Sequence, residues 1–287
     1  MKFIRAYVEI TNICGLKCSF CPSKVKPNLT MSLDRFSYIL EQLKPYTDQI
    51  ALHVMGDPLV VSNLNEYLDI AKEKDIKVII TTTGYFLDKF DDNILLHDAI
   101  RQINFSLNSF NKNDLSKSLD QYLKPLIEFA QKKVEINTNS FINFRLWNID
   151  KQSSEERFNK EVLKYFQEVY NIDLDLKKGK DSLRLDNKVL INFDTYFEWP
   201  SLKNKHFSHG YCYGLSKQIA ILADGTVVPC CLDAEGVIDL GNIFKNTIKE
   251  VLNSKRVQEI INGFKEKKAV EELCQKCSYK VRFNEGS

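Results

Sequence analysis

The stretch Thr11–Cys21, TNICGLKCSFC, decides how the rest of the chain is read. It follows the short apolar run Ala6–Ile10. Cys14, Cys18 and Cys21 fall in one loop, with three residues between the first pair and two between the second. Structural zinc sites are typically closed by four ligands, often as two separated pairs. Three thiolates this close together suit three corners of an iron–sulfur cubane and leave one iron without a protein ligand. Such an open iron can chelate the amino and carboxylate groups of an amino acid. A zinc knuckle or a set of reactive thiols is the plainer alternative.

Downstream of this loop, β-rich runs alternate with amphipathic stretches. Strands are expected at Ala6–Ile10, Ile50–Val54, Val78–Thr82, Ile103–Leu107 and Ile142–Leu146. Leu33–Leu43 puts Phe36, Ile39, Leu40 and Leu43 on one helical face, with Ser32 as N-cap and Pro45 just past the end. Asn63–Glu73, Asp92–Ile100, Leu115–Lys132 and Glu155–Tyr170 read as helices in the same way. Pro125 is expected to start a new helix or to kink the fourth. Strands separated by helices make βαβ units and a parallel sheet. Five or six such units fall short of a closed barrel. The expected fold class is therefore α/β, a partial (β/α)6 TIM-like barrel over residues 1–195.

After Asn171 the pattern changes. Lys177–Trp199 alternates like strand with no helix between. Gln218–Leu222, Asp224-Gly225 and Thr226–Val228 make a hairpin, with Asp-Gly supplying the turn. A helix is expected at Thr247–Phe264, and the chain then reaches a second Cys-x2-Cys. Residues 196–287 are expected to form a small second domain of hairpin plus helix.

Composition narrows the class. The 287 residues are 44% hydrophobic and 11% aromatic, as in ordinary globular proteins rather than disordered ones. With 40 basic and 38 acidic side chains the net charge is +2, so neither nucleic acid nor an anionic membrane surface is an expected partner. Arg5 and Glu9 interrupt any apolar signal core, and no run is long enough to span a membrane, so a cytoplasmic protein is expected. All eight cysteines lie toward the two chain ends, with none between Pro22 and Tyr211. In a reducing compartment that clustering points to metal rather than disulfides.

The Cys-x3-Cys-x2-Cys loop after strand one resembles the signature of the radical S-adenosylmethionine (SAM) superfamily. Phe20, just before the third cysteine, stands where the family packs adenine. Met55-Gly56-Asp57-Pro58 at the end of strand two resembles the family's strand-end motif, whose backbone bonds the methionyl amino group. This chain has Met and Asp where Gly-Gly-Glu is commoner. Thr83 in Thr81-Thr82-Thr83-Gly84 and Ser106 and Asn108 in Ser106-Leu107-Asn108 close strands three and four, where the family places ribose and carboxylate contacts. Arg145 could reach the cofactor carboxylate, although an arginine there is about as often in a surface ion pair.

The second cysteine set resembles the SPASM/twitch extension: Cys212, the hairpin text ADGTVVPC ending at Cys230, then LGNI, a helix, and Cys274-x2-Cys277. The resemblance to the shorter twitch form implies one auxiliary [4Fe–4S] cluster held by Cys212, Cys230, Cys274 and Cys277. Cys231 is read as a small buried residue or a spare. A four-cysteine zinc ribbon is the alternative.

The resemblance implies reductive cleavage of SAM to a 5′-deoxyadenosyl radical, hydrogen abstraction from a substrate, and a flavodoxin- or ferredoxin-like reducing partner. Four thiolates leave no open iron, so the auxiliary cluster is expected to carry electrons. The two-cluster layout resembles twitch enzymes that oxidise an alcohol, and a small polar substrate is expected. Strand one starts too early for a leader-binding domain, which counts against the alternative of a peptide-modifying maturase. A non-catalytic iron–sulfur or zinc protein is the remote alternative. No acid/base residue stands out among His53, His97, His206 and His209. Seven cysteines at two sites predict two cubanes, hence about eight irons per chain after anaerobic reconstitution. Iron and zinc analysis checks this; a count near four irons with zinc present would remove the auxiliary cluster.

Overall fold

In the computed structural model, which describes residues 1–113, 116–147, 153–172, 182–194, 198–207 and 210–283, the chain is α/β with a mostly parallel sheet. The elements run β1 (Arg5–Val8), α1 (Leu33–Leu43), β2 (Gln49–Ala51), α2 (Leu64–Glu73), β3 (Lys77–Thr82), β4 (Ile100–Ser106), α3 (Asn108–Asn111) and α4 (Leu119–Ile136). There follow β5 (Phe141–Leu146), α5 (Ser153–Tyr170), β6 (Ser182–Asp186), β7 (Val189–Phe193), β8 (Gln218–Ile221), β9 (Val227–Val228), α6 (Ile248–Asn253), α7 (Lys255–Lys265) and α8 (Glu272–Gln275). No helix among the described residues is long and apolar enough to cross a membrane.

The chain divides into two compact units. One comprises Met1–Gly15, Phe20–Val78 and Phe197–Ser287, the other Leu16–Ser19 and Ile79–Tyr196. In the first, β1 is central, parallel to β2 (Ala6 opposite Ile50) and to β8 (Ala6 opposite Ile219). Alternation sends Ala6, Val8 and Ile10 into a fully buried layer and turns Arg5, Tyr7 and Glu9 to the other face. On α1 the Ser32 hydroxyl accepts from Arg35 N at 3.4 Å, and the four apolar residues of the expected face are fully buried. Each contributes roughly 1.5–3 kcal/mol of transfer free energy. The hairpin turns as expected, with Gly225 at φ +88° and β8 antiparallel to β9.

In the second unit β4, β5 and β7 run parallel, and β6 returns antiparallel to β7. The register aligns Ser106 with Arg145 and Arg145 with Asn192. One face carries Ile103, Phe105, Ile142, Phe144, Val189 and Ile191, all fully buried. Phe144 meets Phe166 of α5 at 4.8 Å, and Phe105 meets Phe129 of α4 at 6.4 Å. The opposite face carries Gln102, Asn104, Ser106, Asn143, Arg145 and Asn192. It is polar.

Two expectations need correction and two are sharpened. The helix expected at Asp92–Ile100 is a short 3-10 turn, Asp92–Leu96, because Ile100 already opens β4. α4 runs unbroken through Pro125, so the proline does not start a new helix. It removes one ladder bond, at a cost of about 3 kcal/mol, against a helix that buries Tyr122, Leu123, Leu126, Ile127 and Phe129 and opens with a Ser118–Gln121 capping box. The helix expected at Thr247–Phe264 is two, α6 and α7. Ser254 is extended between them, and its hydroxyl caps α7 by accepting from Val257 N at 3.4 Å. The expected Lys177–Trp199 alternation resolves into the β6–β7 hairpin, turning at Lys188 with φ +58°. Its beginning at 177–181, like Leu115 of the expected fourth helix, lies outside the described residues.

Candidate active site

Two buried polar residues make the base of the first cysteine loop. The Thr11 hydroxyl donates to Leu29 O at 3.2 Å, and Asn12 donates from Nδ2 to Pro27 O at 2.8 Å while its Oδ1 accepts from Leu29 N at 2.8 Å. Lys24 Nζ donates to Asn12 O and Oδ1 at 3.1 and 3.0 Å. The segment from Thr11 to Thr30 is thus closed on itself at its foot.

Gly56 lies against that foot. A Cβ there would stand 2.1 Å from Thr11 O and 2.9 Å from Ile13 O, and the next amide, Asp57 N, donates to Ile13 O at 3.0 Å. Asp57 is buried and its Oδ1 accepts from Leu59 N at 3.0 Å, capping the short turn that Pro58 begins. The strand-two motif and the backbone leading into Cys14 are therefore in direct contact. In this unit Cys14 and Phe20 are half-buried and Cys21 is exposed.

The other compact unit holds Cys18, which is buried. Asn113 Nδ2 donates to its sulfur at 3.1 Å and to Ser109 O at 2.7 Å, while Asn113 Oδ1 accepts from Lys17 N at 2.9 Å. Sequence reading missed Asn113, since no motif marks it. Thr83 is buried, its carbonyl accepting from the Tyr122 hydroxyl at 2.7 Å. Ser106 and Arg145 are register neighbours on the polar face, and the Arg145 guanidinium lies 5.4 Å from the centroid of the Trp147 ring. Asn108 is buried, with Oδ1 accepting from Trp147 N at 2.6 Å; its Nδ2 has no partner among the described residues. Asn192 Oδ1 is buried and unpartnered in the same sense. His97 Nδ1 accepts from Ala99 N at 3.1 Å, which gives it a local structural task. His53 meets the Tyr7 ring edge-on at 5.6 Å, and His209 lies outside the described residues.

The second set of thiols gathers around one cavity. Cys212, Cys230, Cys274 and Cys277 line an empty volume of about 470 Å3, including its open mouth, together with Asp233, Tyr279 and Lys280. Among the described residues no three His, Cys, Asp or Glu groups are placed to hold a single metal ion. Cys231 instead packs with Tyr7, Met55 and Trp199 against the apolar cluster of Val54, Leu222 and Val228. Burial pushes the Cys212 thiol up to about 11 and those of Cys230 and Cys274 well above the usual thiol range, and neighbouring cysteines push in the same direction. Four mutually repelling thiolates in a dry cavity form only around a cationic centre, so this donor set fits an iron–sulfur cluster.

Glu9 is the second residue that sequence reading missed. It is 2% exposed; Oε1 accepts from Met55 N at 2.9 Å and Oε2 from Ala223 N at 3.0 Å. It thereby links the strand-two motif to the hairpin that ends at Cys230. Burial raises its carboxyl to about 7, against the opposing pull of those two amides.

The radical SAM superfamily model matches residues 8–144, and the SPASM model, an iron–sulfur cluster-binding domain, matches residues 212–278. The chain carries a radical SAM domain and a SPASM domain. Its cofactors are S-adenosylmethionine with a [4Fe–4S] cluster, and an auxiliary cluster in the SPASM region. Solved structures share the fold. BtrN in complex with AdoMet and 2-DOIA aligns over 97% of this chain and 94% of that one, at 18% identity and a TM-score of 0.56. SuiB of Streptococcus suis bound to S-adenosylmethionine aligns over 100% and 73%, at 21% and 0.59. The anSMEcpe structure with bound AdoMet aligns over 99% and 85%, at 15% and 0.63. The likeness agrees with the α/β, partial-barrel class expected from the sequence. A comparison with curated protein sequences finds no match.

Two predictions follow from the contacts around Glu9 and Gly56. Gly56→Ala has to displace Thr11 or Ile13 backbone, a strain of about 1–3 kcal/mol, so SAM affinity should fall roughly 10- to 100-fold. Equilibrium titration checks this, and wild-type affinity would refute the packing argument. Glu9→Gln leaves one acceptor for two amides and should lower the melting temperature. Because the folded carboxyl titrates near 7 and the unfolded one near 4.5, Glu9 contributes most below the lower value and loses that contribution as pH rises through 7. The melting-temperature gap between wild type and Glu9→Gln should therefore be wider at pH 5 than at pH 8. A constant gap would count against the raised carboxyl.

Proposed function

We propose that this radical SAM enzyme oxidises a small polar molecule, using the auxiliary cluster as electron acceptor. The observation that carries the reading is the single cavity lined by Cys212, Cys230, Cys274 and Cys277. Four cysteines saturate a cubane, so the site offers no iron to a substrate and serves electron transfer. Cys14, Cys18 and Cys21 are assigned to the first cluster, with Phe20, Gly56, Asp57, Pro58, Thr83, Ser106, Asn108 and Arg145 around S-adenosylmethionine. When bound, these groups supply a 5′-deoxyadenosyl radical that removes a hydrogen atom from the substrate. We take residues 1–195 as the radical SAM part and 196–287 as the auxiliary part, and a flavodoxin or ferredoxin in a reducing cytoplasm as the electron source.

The polar face of the second compact unit supports a hydroxyl- or amine-bearing substrate. Beside the residues assigned to S-adenosylmethionine, that face carries Gln102, Asn104, Asn143 and Asn192, all uncharged donors and acceptors. A buried amide oxygen without a partner among the described residues, such as Asn192 Oδ1, is costly unless a ligand satisfies it. Peptide modification is the second reading. The fold likeness to SuiB and anSMEcpe, which have structures with a precursor peptide and with the Cp18Cys peptide, is no weaker than that to BtrN.

The test separates the two cysteine sets. Replacing Cys14, Cys18 and Cys21 with Ala should abolish 5′-deoxyadenosine formation with dithionite; an unchanged rate would end the proposal. Replacing Cys274 and Cys277 should spare that cleavage in a folded variant, confirmed by circular dichroism and SAM affinity. Its substrate should then be returned or reduced rather than oxidised. Full product from such a variant would make the second cluster structural and favour a redox-neutral or peptide-level reaction.

A further inference from the structure

Lys280 is the only cation among the described residues that line the second thiol cavity. It is 1% exposed, which is rare for lysine. Its Nζ donates to Cys274 O at 2.6 Å, Phe207 O at 2.8 Å and Gln275 O at 3.3 Å, and lies 5.9 Å from the Phe207 ring centroid. All three acceptors are main-chain carbonyls, and no carboxylate pairs with it among the described residues. A buried ammonium without a counter-charge is strongly unfavourable. The cavity's carboxylate does not fill that place: Asp233 spends its oxygens on Val237 N and Ile238 N at 2.8 and 2.7 Å. What remains is the thiolate set itself.

We infer that Lys280 is a positioning residue of the auxiliary site, which holds the Cys274–Cys277 turn and raises the reduction potential of the cluster bound there. The inference rests on the assignment of Cys212, Cys230, Cys274 and Cys277 to that cluster. Four thiolates outweigh the positive charge of a cubane core, so the site is anionic and becomes more so with each added electron. A fixed cation in a low-dielectric wall favours the reduced state more than the oxidised one. Net charge and hydrogen bonding are the protein's means of setting such potentials. The three carbonyls also tie Phe207, ahead of Cys212, to the segment carrying the last two cysteines, so one side chain fixes charge and geometry together. A raised potential suits a cluster that accepts electrons.

The test is an EPR-monitored redox titration of the anaerobically reconstituted full-length protein. The auxiliary signal is the one that SAM does not perturb. Lys280→Met should lower the equilibrium constant for one-electron reduction about tenfold, equivalent to 59 mV, whereas Lys280→Arg should stay near wild type. Lys280→Met at the wild-type potential with full iron would overturn the inference. If Lys280→Met holds only the first cluster while Lys280→Arg holds both, the positive charge is required by the site and the inference stands. Loss of the cluster from both would show that shape rather than charge matters, and the inference would fall. Wild-type protein with about four irons would instead defeat the cysteine assignment, before any question about Lys280.

Discussion

The buried carboxylate of Glu9 ties together parts of the chain that sequence order keeps apart. One oxygen takes Met55 N and the other Ala223 N, so the end of β1 fixes both the motif after β2 and the turn of the β8–β9 hairpin. Hydrogen bonds to a charged acceptor are worth about 1.5–3 kcal/mol each, and here they work against desolvation that has pushed the carboxyl to about 7. Shape matters as much as energy. A glutamine offers one acceptor and a clashing N–H, and an aspartate is a methylene too short to span the two amides. Gly56 follows directly on Met55, and its missing side chain is what lets the backbone before Cys14 pass at contact distance. The backbone entering Cys14, the strand-two motif and the hairpin leading to Cys230 thus meet around one side chain.

The second compact unit solves a different problem. It must hold polar side chains on one face of a sheet without losing the sheet. The opposite face does this with stacked aromatics: Phe105 against Phe144 at 5.6 Å, and both against helices. Phe105 and Phe144 each have polar neighbours along the strand directed the other way, Asn104 and Ser106 on β4, Asn143 and Arg145 on β5. Strand alternation alone therefore separates packing from chemistry. Asn104 is already saturated by Thr81, Gln102 and Asn143, whereas Asn108 and Asn192 keep buried groups in reserve.

Much of this was legible in the sequence, and the reason is locality. Ser32, Phe36, Ile39, Leu40 and Leu43 announce α1 because cap and face are encoded within one helix. The Cys14–Cys21 loop and the Asp224-Gly225 turn are equally self-contained. What escaped was set by distant partners. Pro125 reads as the start of a new helix or a kink, and of these the new helix is excluded: α4 continues through it, because burial of its apolar face outweighs one lost bond. Ser254 reads as helical until its hydroxyl is seen capping α7. Asn113, Glu9 and Lys280 belong to no motif, and each reaches a partner far off in sequence: Cys18 at 95 positions, Met55 and Ala223 at 46 and 214, and Phe207 at 73.

Those last residues share a logic that bears on the division of labour between the two cysteine sets. Each set has one polar side chain that sequence spacing does not reveal: a neutral amide at Cys18 and an ammonium beside Cys274. An N–H donated to sulfur draws off some of the thiolate's charge and leaves the formal charge of the site unchanged, while a buried ammonium alters that charge outright. On the assignment proposed above, the neutral donor goes to the cluster that must give an electron to a sulfonium. The cation goes to the cluster that must take one up. Exchanging the two would work against both tasks, because a cation beside the three-cysteine site would hold back the electron the cofactor needs. On that same assignment, the ligand counts, three and four, separate substrate chemistry from electron storage. The outer polar groups bias the electron in the same direction.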